Sequence, residues 1–69
     1  SSYDKINYEG LTYYKSHKLT NSKYEICNDH DVIGYMNTKN DIIDFEDGYD
    51  SIHSDNVLQK KAFDVLKIK

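Results

Sequence analysis

Four residues have side chains that bind transition metals or act in nucleophilic catalysis: Cys27, His30, His17 and His53. Cys27 and His30 have a C-x-x-H spacing, so they could supply two zinc ligands or pair a thiol with a general base. Small zinc domains normally show paired Cys or His motifs, and nothing near Cys27 predicts a lowered thiol pKa. We therefore predict that Cys27 fills the apolar face of a strand and that the histidines lie in loops. We expect no metal site, no cofactor and no enzymatic activity.

The densest charge lies in residues 41–55, which hold six acidic residues and no lysine. In a calcium-binding loop, oxygen ligands at positions 1, 3 and 5 precede a glycine at position 6. With Gly48 as that glycine, Ile43 and Phe45 would occupy positions 1 and 3, so the calcium pattern fails. The stretch therefore predicts a solvated acidic loop. In an alternative interpretation, its carboxylates imitate nucleic-acid phosphates and block a nucleic-acid enzyme, although the lysine-rich C-terminal tail opposes such mimicry.

Seven tyrosines could stack on the bases of single-stranded nucleic acid or anchor a protein interface. A stacking platform needs a basic groove, whereas residues 1–40 carry five lysines against five acids and the chain has no arginine. We therefore predict another protein, and not nucleic acid, as the partner. The predicted contact residues are Tyr13, Tyr14, Tyr24 and Tyr35. An exposed cluster of these rings would favour an interface, and burial would favour a purely structural role.

The 69-residue chain is long enough for one domain only, and its single cysteine cannot form an intramolecular disulfide. The lone cysteine predicts a reducing, intracellular location. Apolar runs of two or three residues are far shorter than the ~20 residues that span a bilayer, and no signal peptide is visible. The start at Ser1 rather than at a methionine suggests a domain excised from a longer protein.

Short segments of alternating polar and apolar residues predict four to five strands within residues 3–46. They are separated by Gly10, by a polar break at 18–21, and by turn clusters at 28–31 and 38–41. Such close turns leave no room for a crossover helix, so the strands should form an antiparallel meander. The acidic segment 47–53 is expected to be a loop, and residues 54–69 a helix. The predicted fold class is therefore α+β.

The C-terminal segment has apolar residues at three- and four-residue steps, the pattern of an amphipathic helix. Ser54 or Asp55 is expected to cap this helix, and Lys67 and Lys69 suit its negative end. Its predicted core-facing residues are Leu58, Ala62, Val65 and Leu66. A helix of about fifteen residues is not stable alone in water, and a short meander leaves one apolar face open.

We therefore predict that this apolar stripe packs on the sheet face that carries Tyr24 and Ile26, and that the domain is monomeric. Leu66→Ala should then cost roughly 2–5 kcal/mol of stability. If the substitution instead left stability unchanged, the stripe would dock on another chain, and the monomer prediction would fail with it.

Four segments, at residues 8–13, 20–24, 33–35 and 41–45, carry a family resemblance. They are YEGLTY, TNSKY, IGY and DIIDF. Together they resemble a small β-rich module that is often appended to the C-terminus of proteins from giant nucleocytoplasmic DNA viruses. The resemblance covers residues 5–45, implies a viral module in the host cytoplasm or virion, and brings no catalytic residues to this chain. Residues 10–14 and 20–21 also resemble the WW domain more faintly, but the chain lacks that family's two tryptophans and closing proline.

Small size, many tyrosines and an amphipathic terminal segment favour one class of function. We predict a non-catalytic protein-interaction or structural-accessory module. The acidic inhibitor that imitates nucleic acid is the alternative.

Overall fold

The computed structural model describes residues 2–68, which form a five-stranded antiparallel sheet followed by one helix. Each strand pairs with the next one along the chain. The predicted α+β class, a small meander with a C-terminal helix, is confirmed. The elements are β1 (Tyr3–Tyr8), β2 (Leu11–Thr20), β3 (Lys23–Cys27), β4 (Val32–Asn37), β5 (Ile43–Phe45) and α1 (Tyr49–Ile68).

Two tight hairpins connect the first three strands. Glu9 and Gly10 have φ angles of 53° and 88°, and Asn21 and Ser22 have φ angles of 51° and 66°. Positive φ at both central residues is the signature of a type I′ turn, whose twist matches that of the paired strands. The second turn takes only two residues, so the polar break predicted at 18–21 is too long and β2 runs almost through it.

The two later turns are held by asparagine side chains. Asn28 Oδ1 accepts hydrogen bonds from the backbone N–H groups of His30, at 2.8 Å, and Asp31, at 2.7 Å. Asn37 Oδ1 does the same for the N–H groups of the second and third residues after it. Asparagine favours such turns because its side chain replaces a backbone acceptor. Both predicted turn clusters therefore form.

The core lies on one face of the sheet, called here the inner face. Ile26, in the central strand, is 0% exposed. The sheet curls, because side chains of its first and last strands meet across this face: the rings of Tyr8 and Phe45 lie 6.0 Å apart, and the N–H group of Ile43 donates to the Tyr8 hydroxyl at 3.2 Å. The strands therefore enclose much of the core themselves. The core residues of the sheet are Ile6, Tyr8, Leu11, Tyr13, Ile26, Ile33, Met36, Ile43 and Phe45.

The helix begins earlier than the sequence predicts. A loop is predicted at 47–53 with a cap at Ser54 or Asp55, whereas α1 begins at Tyr49. The predicted loop and caps are therefore wrong. The physical reason is that an acidic residue such as Asp50 favours the positive first turn of a helix as readily as it favours a loop.

Only the start of α1 packs on the sheet. Tyr49 joins the core cluster, His53 is buried and Val57 is half-buried, so these residues form a stripe at four-residue steps. Lys60 and Asp64 continue on the same side of the helix, within about 20° of His53. They form an exposed ion pair at 3.4 Å. The sheet-facing side thus becomes charged, and the side chains at 58–67 are all exposed.

The apolar stripe predicted to close the core does not pack on the sheet. It consists of Leu58, Ala62, Val65 and Leu66, all of which are exposed. At ~100° per residue, these side chains lie about 120–180° round the helix from His53. They therefore point away from the sheet, and the predicted contact with the face of Tyr24 and Ile26 is wrong.

The exposure of this stripe gives a direct prediction. Leu66 is 67% exposed, so Leu66→Ala should change the free energy of unfolding by less than about 0.5 kcal/mol. Urea unfolding at low micromolar protein concentration measures the change, and Leu58→Ala should behave alike. A loss of about 2 kcal/mol or more would instead place the stripe in a core.

Candidate functional site

His53 is hydrogen-bonded through both ring nitrogens. Its Nδ1 lies 2.6 Å from the Tyr13 hydroxyl, and its Nε2 lies 2.6 Å from Glu9 Oε1. An ionised carboxylate only accepts hydrogen bonds, so Nε2–H donates to Glu9. In the neutral ring Nδ1 then accepts from the Tyr13 O–H. We call these three side chains the Glu9–His53–Tyr13 relay.

The relay attaches the helix to the sheet. The His53 ring stacks on Phe45 with centroids 4.6 Å apart, and lies 5.5 Å from the ring of Tyr8. Its partners come from β2 and from the hairpin turn before β2. One buried side chain therefore joins α1 to β1, β2, β5 and the turn between β1 and β2.

A carboxylate, an imidazole and a hydroxyl in a row could in principle activate a nucleophile. Burial, and next the interaction with the hydroxyl of Tyr49, raise the pKa of Tyr13 to about 12. An activated nucleophile needs the opposite shift, and Tyr13 is only 3% exposed. The geometry of the relay therefore suits structural support rather than chemistry.

The raised pKa of Tyr13 predicts a loss of stability in alkali. The pKa of this hydroxyl rises from 10.0 in the unfolded chain to about 12 in the fold. Its contribution to the free energy of unfolding is therefore fully present below pH 10. This contribution is lost as pH rises through about 12. Between these values, the free energy of unfolding should fall more steeply in the wild type than in Tyr13→Phe. Urea unfolding of both proteins across this range tests the difference, and equal slopes would contradict the prediction.

The structure separates the four predicted interface tyrosines. Tyr13 and Tyr24 point to the inner face, where Tyr13 is a core residue and the Lys15 ammonium lies 4.3 Å from the centroid of the Tyr24 ring. Tyr14 and Tyr35 are half-buried on the opposite, outer face. Tyr13 is therefore wrong as an interface residue. Alternation along β2 sends the two adjacent tyrosines to opposite faces of the sheet.

The outer face carries an open groove of about 480 Å³, called here the outer groove. Tyr14 pairs across the sheet with Cys27, and Cys27 pairs with Val32, so these side chains are neighbours on three strands. The turn between β3 and β4 forms one wall. Sequence reasoning missed Tyr3, Val32 and this wall as site residues. The lining residues are Tyr3, Tyr14, Cys27, Asn28, Asp29, His30, Asp31 and Val32.

The outer groove combines an aromatic floor with an acidic rim. Asp29 and Asp31 lie in the wall, and outside the groove the hydroxyl of its lining residue Tyr3 donates to Glu25 Oε1 at 3.5 Å. Burial raises the pKa of the Cys27 thiol, outweighing the opposite effect of its hydrogen bond with Tyr3. The thiol is therefore not activated. Aromatic rings beside carboxylates suit an apolar ligand that also carries positive charge.

The three histidines occupy different surroundings. His30 lies in the predicted turn, whereas His17 belongs to β2 and its Nε2 lies 2.8 Å from Asp4 Oδ1. His53 is in the core, so the prediction of loop histidines is wrong for two of the three. Within residues 2–68, no three His, Cys, Asp or Glu side chains come together in a way that could hold a metal ion.

The acids of residues 41–55 point in several directions. Asp44 lies on β5 opposite Tyr35, on the outer face. Asp50 and Asp55 lie on α1, about 140° apart round the helix. Asp41 lines a small cavity with Tyr8. These carboxylates therefore form no single ridge.

Comparison of the chain with protein-family models, with curated proteins and with solved structures gave no significant match. The resemblance to a viral module therefore stays a prediction. Across residues 2–68, no helix combines the length and the apolarity that a bilayer crossing requires.

Proposed function

We propose that this domain is a non-catalytic protein-interaction module that binds a segment of another protein in the outer groove. The observation that carries the proposal is an open groove of about 480 Å³ with an aromatic floor, on the face opposite the core. Tyr14 is half-buried there, and tyrosine commonly anchors protein interfaces because its large ring loses little entropy on binding.

The chemistry of the groove indicates the kind of segment that it takes. The floor of Tyr3, Tyr14, Cys27 and Val32 suits aliphatic or aromatic side chains. The carboxylates of the wall favour a neighbouring lysine or arginine. A volume of about 480 Å³ accommodates a few side chains, so a short peptide segment is a better fit than a flat domain surface.

Two related predictions bear on this proposal. The free Cys27 thiol lines the groove, and a reducing compartment would keep it unmodified, so the proposal agrees with the intracellular location predicted from the lone cysteine. Mimicry of nucleic acid is not favoured, because Asp44 on β5 and the two acids Asp50 and Asp55 on α1 point in different directions.

The proposal is tested with a displayed library of random peptides, selected on the immobilised domain. We expect enriched peptides to place lysine or arginine beside apolar residues, and to lose binding to Tyr14→Ser. Tyr35→Ser is the matched control, because Tyr35 is also half-buried on the outer face but does not line the groove. Melting curves of both variants confirm that they fold. Peptides that bind the wild type and Tyr14→Ser equally, or no enrichment at all, would refute the proposal.

A further inference from the structure

The end of α1 is an exposed, amphipathic and basic helix. We call residues 58–68 the arm. The apolar stripe of Leu58, Ala62, Val65 and Leu66 is exposed along it, and its polar side carries Lys60, Lys61 and Lys67 against Asp64. The arm holds three lysines and one acid, whereas residues 1–57 hold five lysines and eleven acids. The arm therefore has the charge opposite to that of the rest of the molecule.

The helical turn just before the arm lies close to one wall of the outer groove. Asn56 lines a cavity of about 200 Å³ together with Asn28 and Asp29 of the turn between β3 and β4. The same turn forms a wall of the outer groove. The helix and the outer groove therefore both lie next to the turn between β3 and β4.

We propose that the arm docks in the outer groove of a second copy of this chain, so that two molecules exchange arms reciprocally. This inference rests on the proposed function, because it takes the outer groove to be a binding site and names its occupant. The apolar stripe matches the aromatic floor, and the lysines match Asp29 and Asp31. A reciprocal exchange about a two-fold axis closes the assembly at two molecules.

Two other arrangements fit the structure less well. Pairing one arm with another would bring two lysine-rich helices together, and like charges repel. No residue of the arm lines the outer groove of its own molecule, and α1 is one continuous helix whose start is held on the sheet at His53. The prediction of a monomer depended on a stripe that covers the core, and that stripe faces outward instead.

Sedimentation velocity of the full chain tests the exchange. Between about 10 µM and about 1 mM, the mass should rise from that of one chain, 8.1 kDa, towards that of two. Lys61→Glu with Lys67→Glu should weaken association about tenfold or more, and so should Asp29→Lys with Asp31→Lys. All four changes together should restore it. The matched control is Lys18→Glu with Lys39→Glu, which alters charge equally on exposed strand and turn positions and should have little effect.

Paramagnetic relaxation identifies the surface that the arm reaches. A chain with a spin label at Gln59→Cys, an exposed arm residue outside the apolar stripe, in a Cys27→Ser background, is mixed with ¹⁵N-labelled wild-type chain. Broadening of the amides of Tyr14, Asp31 and Val32 supports docking in the outer groove, whereas broadening confined to the arm would overturn it in favour of arm pairing. A constant mass of 8.1 kDa at all concentrations would also overturn the exchange. The peptide selection with Tyr14→Ser would then still decide whether the outer groove binds other proteins.

Discussion

Ile26→Ala is expected to lower the free energy of unfolding by about 2–5 kcal/mol, because it removes buried methyl groups and leaves a cavity. Ile26 is 0% exposed and belongs to the central strand, where it packs within the cluster of Tyr13, Ile33, Met36 and Ile43. A single core of this size supplies only about 3–5 kcal/mol of stability. The variant should therefore be largely unfolded, or close to it, at room temperature.

Urea unfolding followed by circular dichroism measures this loss. Ile42→Ala is the matched control, because it makes the same chemical change at a residue that is 65% exposed. It should change stability by less than about 0.5 kcal/mol. If Ile26→Ala does not fold at all, Ile26→Val should still lose about 0.5–1.5 kcal/mol. Equal midpoints for Ile26→Val and the wild type would contradict the central place of this residue.

His53→Ala is expected to have the second largest effect, lowering the free energy of unfolding by about 3 kcal/mol. It creates a cavity beside Phe45 and removes the partner 2.6 Å from the buried Tyr13 hydroxyl. Loss of a hydrogen-bond partner by a buried polar group costs up to about 1–3 kcal/mol, and less where another group, here the Tyr49 hydroxyl, stays close by. The helix should suffer most, because it contacts the sheet mainly through the stripe of Tyr49, His53 and Val57.

A double-mutant cycle with Tyr13→Phe isolates the hydrogen bond, and we expect a coupling energy of about 1–3 kcal/mol. Amide hydrogen exchange should also show that His53→Ala lowers protection more in α1 than in β3, when each element is compared with the wild type. His17→Ala is the control, because His17 also faces a carboxylate, at 2.8 Å, but on the surface. A coupling energy near zero would show that the relay does not hold the helix.

Local sequence patterns were sufficient for the sheet. Alternation such as that of Ile6 and Tyr8 has a period of two wherever one face is buried, and turn residues such as Asn28 mark the strand ends through their own hydrogen bonds. These signals depend only on near neighbours in the chain. The meander was therefore predictable. The two errors of extent concern the end of β2, which runs further than predicted, and the start of α1, which lies earlier.

The packing of the helix was not predictable in the same way. Hydropathy predicts that a histidine such as His53 is exposed to solvent, and its hydrogen-bond partner Tyr13 lies forty residues away in the sequence. An apolar stripe such as that of Leu58 and Leu66 shows that a helix has one apolar face, but it does not show what covers that face. The curl that lets Tyr8 meet Phe45 removes the need for a lid, and no local pattern encodes it.

The outer groove was also invisible to local patterns. Tyr3, Tyr14, Cys27 and Val32 come from four strands, and only the register brings them together. Two of them, Tyr3 and Val32, are unremarkable in sequence. A prediction of the groove would need the bulge that pairs Cys27 with Val32, which follows from tertiary packing.

The continuity of α1 makes the helix a lever with its fulcrum at His53. From there to Ile68 the helix extends about 22 Å, so a tilt of about 10° at the fulcrum displaces the tip by about 4 Å. That distance is close to the width of one side chain. Loss of the hydrogen bonds of His53 would therefore widen the range of positions of the exposed apolar stripe at 58–66 without changing any residue in it. Stiffness at a buried histidine thus sets the angular precision with which a surface some 20 Å away can meet another molecule.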